Sequence, residues 1–307
     1  MRTASRHPGR RARDARGTVP VTIGPTLAMV AAVAVAALAA PVAALAGPST
    51  AGSLVSDGLV RTYRVHVPPA LPAGSRPPLV LVLHGHGGTG AQAERAYGFD
   101  ALADREGFVV AYPDGVDRGW NDADLDRHAD VDDVAFLRRL VDELSARHAI
   151  DPDRVYVAGM SNGGFMAERL ACDLPDRIAA IGAVAASRRS ACPTAEPVSV
   201  MHVHGLRDRL VRYAGASGGA IGAYPSLPSL VSGWREVDGC QRSPAVTVRG
   251  VVRRAESRDC AAGTDVVLVT IATAGHEWPG GLRAATTTAT FDTTAELWAF
   301  FAAHPRP

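Results

Sequence analysis

Short apolar segments recur along the chain and predict the strands of a buried sheet. Polar or turn-forming residues bound each segment, and the lengths suit strands covered on both faces rather than helices. The segments are residues 79–83, 108–112, 155–157, 178–185, 198–204 and 266–271. Residues 59–67 instead alternate apolar and polar positions, as a half-buried strand does after a flexible leading segment.

Apolar residues at helical spacing lie between these strands. One set is Val134, Leu137, Leu140, Val141 and Leu144. Asp132 or Asp133 can cap this helix, and residues 297–301 belong to a closing helix. Strands that alternate with helices predict an α/β fold with a mostly parallel central sheet and helices on both faces.

A glycine-flanked serine follows one of the predicted strands. Residues 159–163 read Gly-Met-Ser-Asn-Gly, and helical spacing resumes at Phe165. A serine in this strand–turn–helix setting adopts a strained conformation that lifts its Oγ above the sheet, and a side chain at Gly159 or Gly163 would collide with neighbouring backbone. We therefore predict Ser161 as a nucleophile. The alternative is a Gly-Ser turn without chemistry.

A serine hydroxyl needs a base, and in this kind of fold the acid and the histidine follow the serine along the chain. His276 lies in a loop after the strand at 266–271, at the sheet edge where sites are built. Asp208 follows the strand at 198–204 directly. We predict that Asp208 holds the tautomer of His276, which serves Ser161. The alternative for Asp208 is a surface carboxylate paired with a neighbouring arginine.

Acyl transfer also needs donors for the developing oxyanion, usually backbone N–H groups. The N–H of Asn162, directly after the serine, is one candidate. The glycine-rich turn at residues 84–88 follows the strand at 79–83 and lets the backbone approach a substrate. We assign the second donor to the N–H of His86.

The N-terminus has the pattern of an export signal. Arginines concentrate within residues 2–16, residues 27–40 are apolar, and Ala44-Leu45-Ala46 precedes Gly47 as a cleavage site would. We predict a signal peptide at 1–46, one catalytic domain at 47–307, and a secreted protein without stable membrane association after cleavage. An uncleaved anchor is the alternative, and Arg10-Arg11 leaves Sec and twin-arginine export both open.

Charge and cysteine content narrow the partners. The net charge of +1, from 32 basic and 31 acidic residues, predicts no surface for nucleic acid. Four cysteines in an exported chain favour disulfides over metal ligands, with three possible pairings. Short separations favour Cys172 with Cys192 and Cys240 with Cys260, each worth about 3 kcal/mol in an unstrained loop.

Several motifs in order resemble the secreted esterases of the polyhydroxybutyrate depolymerase group, close to feruloyl and acetylxylan esterases in the α/β-hydrolase superfamily. They run from Arg61 to the C-terminus: 63–68, 83–85, 112–115, 120–121, 132–134, 159–164, 204–208 and 275–280. The resemblance implies an α/β-hydrolase fold, the triad Ser161, Asp208 and His276, and the Cys240–Cys260 disulfide. It also implies Trp278 and Trp120 as walls of an acyl pocket, although both could instead be core residues.

The sequence departs from that pattern near the acid and the histidine. Arg209 and Arg212 stand where prolines are expected, and Glu277 replaces a small residue beside His276. Arg212 and Glu277 could pair across the site or shape it for a charged substrate. Their role stays open at this stage.

An acidic segment at residues 122–133 places carboxylates at spacings similar to those of a calcium loop. Arg127 replaces the turn glycine, and the last ligand position is Asp rather than Glu. We interpret the segment as a solvated loop before a helix N-terminus and predict no metal site.

These patterns predict a secreted serine esterase that needs no cofactor and cleaves carboxylic esters through an acyl-enzyme. Candidate substrates are polyhydroxyalkanoate oligomers and the feruloyl or acetyl esters of plant polysaccharide. Two alternatives stay open: a secreted serine peptidase of the same fold, since the same triad cleaves amides, and a binding protein without catalysis.

Overall fold

The computed structural model describes residues 49–123, 129–189, 192, 196–285, 288 and 290–306. The predicted signal peptide at 1–46 lies outside this part of the chain, as do Asp124 and Asp126 of the acidic segment. Across the described ranges, no helix has both the length and the apolar character needed to cross a membrane.

A single ten-stranded sheet dominates the described part of the chain. Its members in sequence order are β1 (Thr50–Ser56), β2 (Leu59–His66), β3 (Leu79–Leu83), β4 (Val109–Pro113), β5 (Val155–Met160), β6 (Ala180–Val184), β7 (Ser199–Gly205), β10 (Ala245–Arg249), β11 (Val252–Ser257) and β12 (Val266–Ile271). A separate two-stranded ribbon comprises β8 (Ala216–Ser217) and β9 (Ala223–Tyr224).

The sheet is parallel in its centre and antiparallel at its edges. Its spatial order is β1-β2-β4-β3-β5-β6-β7-β12-β11-β10. Every pairing from β4 through β12 is parallel, whereas β1 and β2 at one edge and β11 and β10 at the other pair antiparallel. The α/β class and the parallel central sheet are therefore confirmed.

Helices cover both faces of the sheet. They are α1 (Gly90–Tyr97), α2 (Phe99–Glu106), α3 (Asp133–His148), α4 (Asn162–Asp173), α5 (Leu227–Val237) and α6 (Thr293–Ala303). Leu81 of β3 lies in the core cluster packed with α3, α4 and α5, while Val80 and Val82 lie in the cluster packed with α1, α2 and α6. Alternate residues of a strand point to opposite faces, so one apolar run contributes to two cores.

The predicted strands and helices are present with small shifts at their ends. Asp132 caps α3, because its carboxylate accepts a hydrogen bond from Ala135 N at 2.9 Å. The prediction of a flexible segment before β2 was wrong. Residues 50–56 form β1, which pairs along its whole length with β2. Both disulfides have the favoured pairing, Cys172–Cys192 and Cys240–Cys260.

Candidate active site

Ser161 lies on a sharp turn between β5 and α4. Its backbone has φ 55° and ψ −125°, a region that residues other than glycine rarely adopt. The Ser161 N–H donates to Val184 O at 2.9 Å, and the Ser161 carbonyl accepts from Phe165 N at 2.9 Å. These bonds to β6 and α4 hold a strained residue in place, which is a common arrangement at functional positions.

The two glycines of the motif have steric reasons to be glycine. A Cβ on Gly159 would lie 2.2 Å from the carbonyl oxygen of Gly163. A Cβ on Gly163 would lie 2.4 Å from the carbonyl oxygen of Leu83 in β3. Both contacts are far inside normal separation and involve backbone, so the turn closes only without these side chains.

Asp208 and His276 meet because β7 and β12 are parallel neighbours. Gly205 at the end of β7 pairs with Ile271 at the end of β12, so the following loops emerge side by side. His276 Nδ1 lies 2.8 Å from Asp208 Oδ2. With its proton on Nδ1 and donated to the carboxylate, the imidazole has Nε2 available to accept a proton.

The loop after β7 fixes the other oxygen of Asp208. Oδ1 accepts hydrogen bonds from Leu210 N and Val211 N, each at 2.9 Å. Buried His204 braces this loop, since its Nε2 lies 2.8 Å from Val211 O. Burial lowers the pKa of His204, which favours a neutral ring that donates one hydrogen bond. The carboxylate is therefore oriented before any substrate arrives.

The turn after β3 lies directly against Ser161. A Cβ built on Gly85 would contact Ser161 Cβ at 3.5 Å. The N–H groups of Gly87 and Gly88 are already used, by Arg118 O at 2.7 Å and Gly85 O at 2.9 Å. Within the described ranges, the N–H groups of His86 and Asn162 donate to no protein acceptor. They are the groups available to a developing negative charge.

The hydroxyl of Ser161 makes no hydrogen bond to His276 among the contacts of the described residues. Ser161 is half-buried, and the side chain of His276 is 17% exposed. Catalytic hydrogen bonds are often long or poorly aligned without substrate and tighten when it binds. The structure thus brings the serine to the glycine-rich turn and the histidine to the acid.

A network of buried polar groups surrounds the side chain of Asn162, the residue after Ser161. We call it the inner network and define it as His84, Trp120, Asp122, Asn162 and Arg189. Asn162 Oδ1 accepts from Trp120 N at 2.8 Å, and Asn162 Nδ2 donates to Trp120 O at 3.0 Å and to Asp122 Oδ2 at 2.7 Å. Arg189 forms an ion pair with Asp122. The side chain that follows the serine is therefore held at three points.

His84 links this network to the glycine-rich turn. Trp120 Nε1 donates to His84 O at 2.9 Å, and Gly115 N donates to His84 Nε2 at 3.0 Å. Its Nδ1 lies 2.9 Å from Gly85 O, so the proton belongs on Nδ1. Burial lowers the pKa of His84 and favours the neutral ring that this bonding requires.

The two tryptophans occupy different positions. Trp120 is 1% exposed, contacts His84 and Asn162, and does not line the cleft beside His276. The expectation that Trp120 forms a pocket wall is corrected: its indole N–H needs a buried acceptor, and the backbone beside the turn supplies it. Trp278 does line the cleft and stacks on Tyr97 with ring centroids 4.2 Å apart.

The cleft beside His276 has a volume of about 470 Å³. Its inner part includes Met160 and the glycine-rich turn. We call its solvent-facing margin the outer rim and define it as Gln92, Arg95, Leu282 and Arg283. All four side chains are exposed, Leu282 by 80%. The cleft therefore runs from the candidate reacting groups to an open, basic margin.

Glu277 and Arg212 do not pair across the site. Glu277 accepts hydrogen bonds from Gly275 N at 3.3 Å and Ala285 N at 2.6 Å. Arg212 and Arg209 are exposed, and Arg212 N–H donates to Tyr224 Oη at 2.9 Å. The suggested ion pair between Arg212 and Glu277 is therefore corrected. Glu277 instead connects the loop of His276 to the loop that carries Leu282 and Arg283.

The acidic segment has protein partners where it is described. Asp122 is bound by Asn162 and Arg189, Asp132 caps α3, and Asp133 pairs with buried Arg61 at 2.6 Å. Across the described residues no cluster of His, Cys, Asp or Glu could hold a metal ion. Asp122, Asp132 and Asp133 thus have structural partners within the described residues.

Sequence reasoning missed Arg189, Tyr97 and the outer rim. Arg189 follows β6 by several residues, and no local pattern connects it with Asp122, which is 67 positions away. Arg95 and Arg283 resemble ordinary surface arginines in the sequence. A signal existed only for Tyr97, whose apolar spacing with Ala93 on α1 could have placed it against the sheet.

The solved acetyl xylan esterase from Aspergillus awamori has the same fold, with a TM-score of 0.60 at 14% identity. The alignment covers 83% of this chain and 99% of that one. The two proteins thus share a fold, and the class of this chain rests on its sequence. The chain belongs to the Esterase PHB depolymerase family, whose sequence model matches residues 61–248, and it is a carboxylic ester hydrolase.

Two relatives in sequence support this assignment. The putative esterase NocK of Nocardia uniformis subsp. tsuyamanensis is 38% identical over 265 residues, which is 76% of this chain and 75% of NocK. Feruloyl esterase B of Piromyces equi is 28% identical over 231 residues, which is 70% of this chain and 42% of that protein. The chain therefore spans less than half the length of the second relative.

Proposed function

We propose that this chain is a secreted serine esterase in which Ser161, His276 and Asp208 form the catalytic triad. The observation that carries the proposal is the 2.8 Å contact between His276 Nδ1 and buried Asp208, because His276 lines one cleft with Met160, the residue before the strained Ser161. Family membership supports ester hydrolysis. The two disulfides support export to an oxidising compartment.

In the first half-reaction, Ser161 Oγ attacks the ester carbonyl carbon while its proton passes to His276 Nε2. Asp208 stabilises the imidazolium through the bond to Nδ1 and stays ionised. The carbonyl oxygen becomes an oxyanion, which accepts hydrogen bonds from the N–H groups of His86 and Asn162. When the tetrahedral intermediate collapses, the alcohol leaves with the proton from Nε2, and the acyl group remains on Ser161.

In the second half-reaction, water replaces the alcohol. His276 Nε2 takes a proton from the water as its oxygen attacks the acyl carbon, and the same two N–H groups hold the new oxyanion. Collapse releases the carboxylic acid and returns the proton to Ser161 Oγ. The inner network supports this role of Asn162, because it fixes the side chain of this residue at three points.

The substrate candidates are hydroxyalkanoate oligomers and the feruloyl or acetyl esters of polysaccharide. The stacked rings of Tyr97 and Trp278 give the cleft a flat aromatic wall that suits an apolar acyl group. Relatives of this chain include a feruloyl esterase and a poly(3-hydroxyalkanoate) depolymerase, which supports two of these ester classes. A panel of p-nitrophenyl acetate, methyl ferulate, acetylated xylan and hydroxybutyrate oligomers would rank them.

The test of the triad uses residues 47–307 with Ser161→Ala and Asp208→Asn. Ser161→Ala should lower kcat on p-nitrophenyl butyrate by about 10⁴-fold or more, because the nucleophile is removed. Asp208→Asn should lower kcat by about 10³- to 10⁴-fold, because the amide favours the wrong tautomer of His276. A fluorophosphonate probe should label the unsubstituted protein and fail to label the Ser161→Ala variant.

Circular dichroism and thermal unfolding of both variants show whether the fold persists. His304→Gln is a matched histidine control, because His304 ends α6 and lies outside the cleft. Activity of Ser161→Ala near the original rate would refute the proposal. Labelling of a different serine would assign the chemistry elsewhere.

A further inference from the structure

Two arginines of the outer rim have no partner in the described part of the chain. Arg95 lies in the last turn of α1 and Arg283 in the loop that follows Gly281, and both are exposed. Neither forms an ion pair or a side-chain hydrogen bond with the described residues. Eleven other arginines of the described residues pair with carboxylates, and the unpaired ones other than Arg95 and Arg283 lie outside this cleft. Both arginines line the cleft.

A backbone contact brings the two arginines to one side of the cleft. Leu282 N donates to Ala96 O at 3.0 Å, so the loop carrying Arg283 is bound to the helix turn carrying Arg95. His276 and Met160 line the same cleft, and Met160 directly precedes Ser161. A charge at this margin therefore acts on a substrate that reaches the candidate nucleophile.

The charge of Arg283 reaches into the cleft. Burial raises the pKa of Tyr97 to about 12, while the backbone of Gly85 and the charge of Arg283 act to lower it. Tyr97 stacks on Trp278, and Gly85 contacts Ser161. Arg283 is thus close enough to Tyr97 to interact with it electrostatically, and both residues line the cleft.

Nearby carboxylates cancel only part of this charge. Glu277 also lines the cleft and offsets one of the two arginines, while its oxygens accept from the backbone N–H groups of Gly275 and Ala285. Glu94, beside Arg95 in sequence, is bound by Arg64. The cleft margin therefore has a net positive field, and a cleft with an excess of one sign of charge concentrates ligands of the opposite sign.

We propose that the enzyme prefers esters that carry a free carboxylate remote from the scissile bond, and that Arg95 and Arg283 bind this carboxylate. This rests on the proposed function, since it names a substrate class for that same site. Two sources supply this chemistry: the free acid end of a hydroxyacid oligomer, on the alcohol side, and a dicarboxylic acid monoester, on the acyl side. Guanidinium groups suit either because they match a carboxylate with paired N–H donors.

The test compares two matched substrate pairs on the purified protein. The mono-p-nitrophenyl ester of adipic acid against p-nitrophenyl hexanoate places the charge on the acyl side. A hydroxybutyrate trimer as free acid against its methyl ester, with internal cleavage followed by chromatography, places it on the alcohol side. We expect kcat/KM to favour the anionic member by about tenfold in one pair, and that pair identifies the source.

The variants are Arg95→Gln, Arg283→Gln and the double substitution, with Arg249→Gln as a matched control. Arg249 is an exposed arginine at the end of β10, outside the cleft. The double variant should lose the anionic preference, each single variant should lose about three- to fivefold of it, and Arg249→Gln should keep it. Added salt should weaken the preference of the unsubstituted protein, because exposed charges are screened.

The outcomes separate this inference from the proposed function. Equal kcat/KM within both pairs, or a preference that persists in the double variant, would overturn the carboxylate site. A double variant that loses the same factor on anionic and neutral esters would also overturn it, because that pattern reports a distorted cleft. Activity that survives Ser161→Ala would instead overturn the triad. If the double variant does not fold, the salt series and the single variants decide.

Discussion

The inner network next to Ser161 and the outer rim of the cleft differ in how their polar groups are bonded. In the inner network, Trp120 is 1% exposed, and Asn162 and His84 have buried protein partners. On the outer rim, Leu282 is 80% exposed, and Arg95 and Arg283 bind no described residue. The polar groups of the inner network are hydrogen-bonded within the protein, whereas the two arginines of the outer rim are accessible to a ligand.

This difference separates what positions the chemistry from what selects the substrate. Committed buried groups fix the backbone around Ser161, because breaking any of their bonds leaves a polar atom away from water. Exposed groups have no such penalty, so they can exchange water for a ligand. Substitutions in the inner network should therefore act on stability, and those on the rim should act on the choice of substrate.

The strongest test of the inner network is Arg189→Met. Arg189 pairs with Asp122 and lies over the ring of Phe165, with its guanidinium 4.0 Å from the ring centroid. Removing the guanidinium from a buried carboxylate should lower the free energy of unfolding by about 3–5 kcal/mol. Urea unfolding measures the change.

A double variant, Arg189→Met with Asp122→Asn, is the matched control for that loss. Replacing the carboxylate with a neutral amide should recover at least about 1 kcal/mol, because the buried charge is then absent. A single variant that unfolds like the original protein would contradict the distinction between the two regions, since the pair would then act like a surface ion pair.

A smaller effect is expected from pH at His84. Burial lowers its pKa below the ordinary value of 6.5, so below pH 6.5 the unfolded chain binds a proton that the folded chain does not. Stability should fall as pH falls through this interval, by at most about 2 kcal/mol between about pH 6.5 and about pH 5. His84→Gln should show a shallower decline in urea unfolding.

His204 has the same direction of pKa shift, so some decline will persist in that variant. The comparison therefore uses the difference in slope between the two proteins. If stability falls with pH equally steeply in both proteins, His84 accepts a proton in the folded state. That result would contradict the hydrogen bonding assigned to His84 in the inner network.

The smallest effect is expected from Glu277→Gln, which loosens the connection to the outer rim. Glutamine has one acceptor oxygen, so it can keep only one of the bonds to Gly275 N and Ala285 N. KM should rise by about two- to fivefold with kcat little changed, and unfolding should change by less than about 1 kcal/mol. Steady-state kinetics with p-nitrophenyl butyrate checks this.

A fall in kcat at constant KM would instead show that Glu277 acts on catalysis, through the neighbouring His276, rather than on substrate binding. Glu277→Ala extends the series, because it loses both bonds and should raise KM further. Trp278 offers no comparable test, since its indole N–H donates to Thr294 and its ring stacks on Tyr97, so a substitution would change the cleft wall and its packing together.

Much of the fold was predictable because its signals are local. Apolar runs fixed β3 and β12 at their observed ends, since a strand buried on both faces needs apolar residues throughout. β1 was not predicted, because Thr50–Ser56 has exposed positions and is stabilised only by its pairing with β2. β10 was not predicted for the same reason, because all five of its residues are exposed.

The two tryptophans show that the sequence did not predict which side chains line the cleft. Both occur in motifs that the resemblance connected with an acyl pocket, yet only Trp278 lines the cleft. Trp120 instead donates to His84 O and lies within the inner network. Sequence identifies a large aromatic residue near a site, but the acceptor that its N–H finds depends on which backbone passes nearby.

The sequence by itself predicted the serine turn and favoured the two disulfide pairings that the structure has. Glycines at 159 and 163 and parallel strands ending in polar loops have few structural solutions, so short patterns sufficed. Only the tertiary structure decided that Arg189 neutralises Asp122, that Glu277 binds backbone rather than Arg212, and that Arg95 and Arg283 meet on one rim. Those contacts join residues far apart in the chain, and burial and the competition for partners exist only once the sheet has formed.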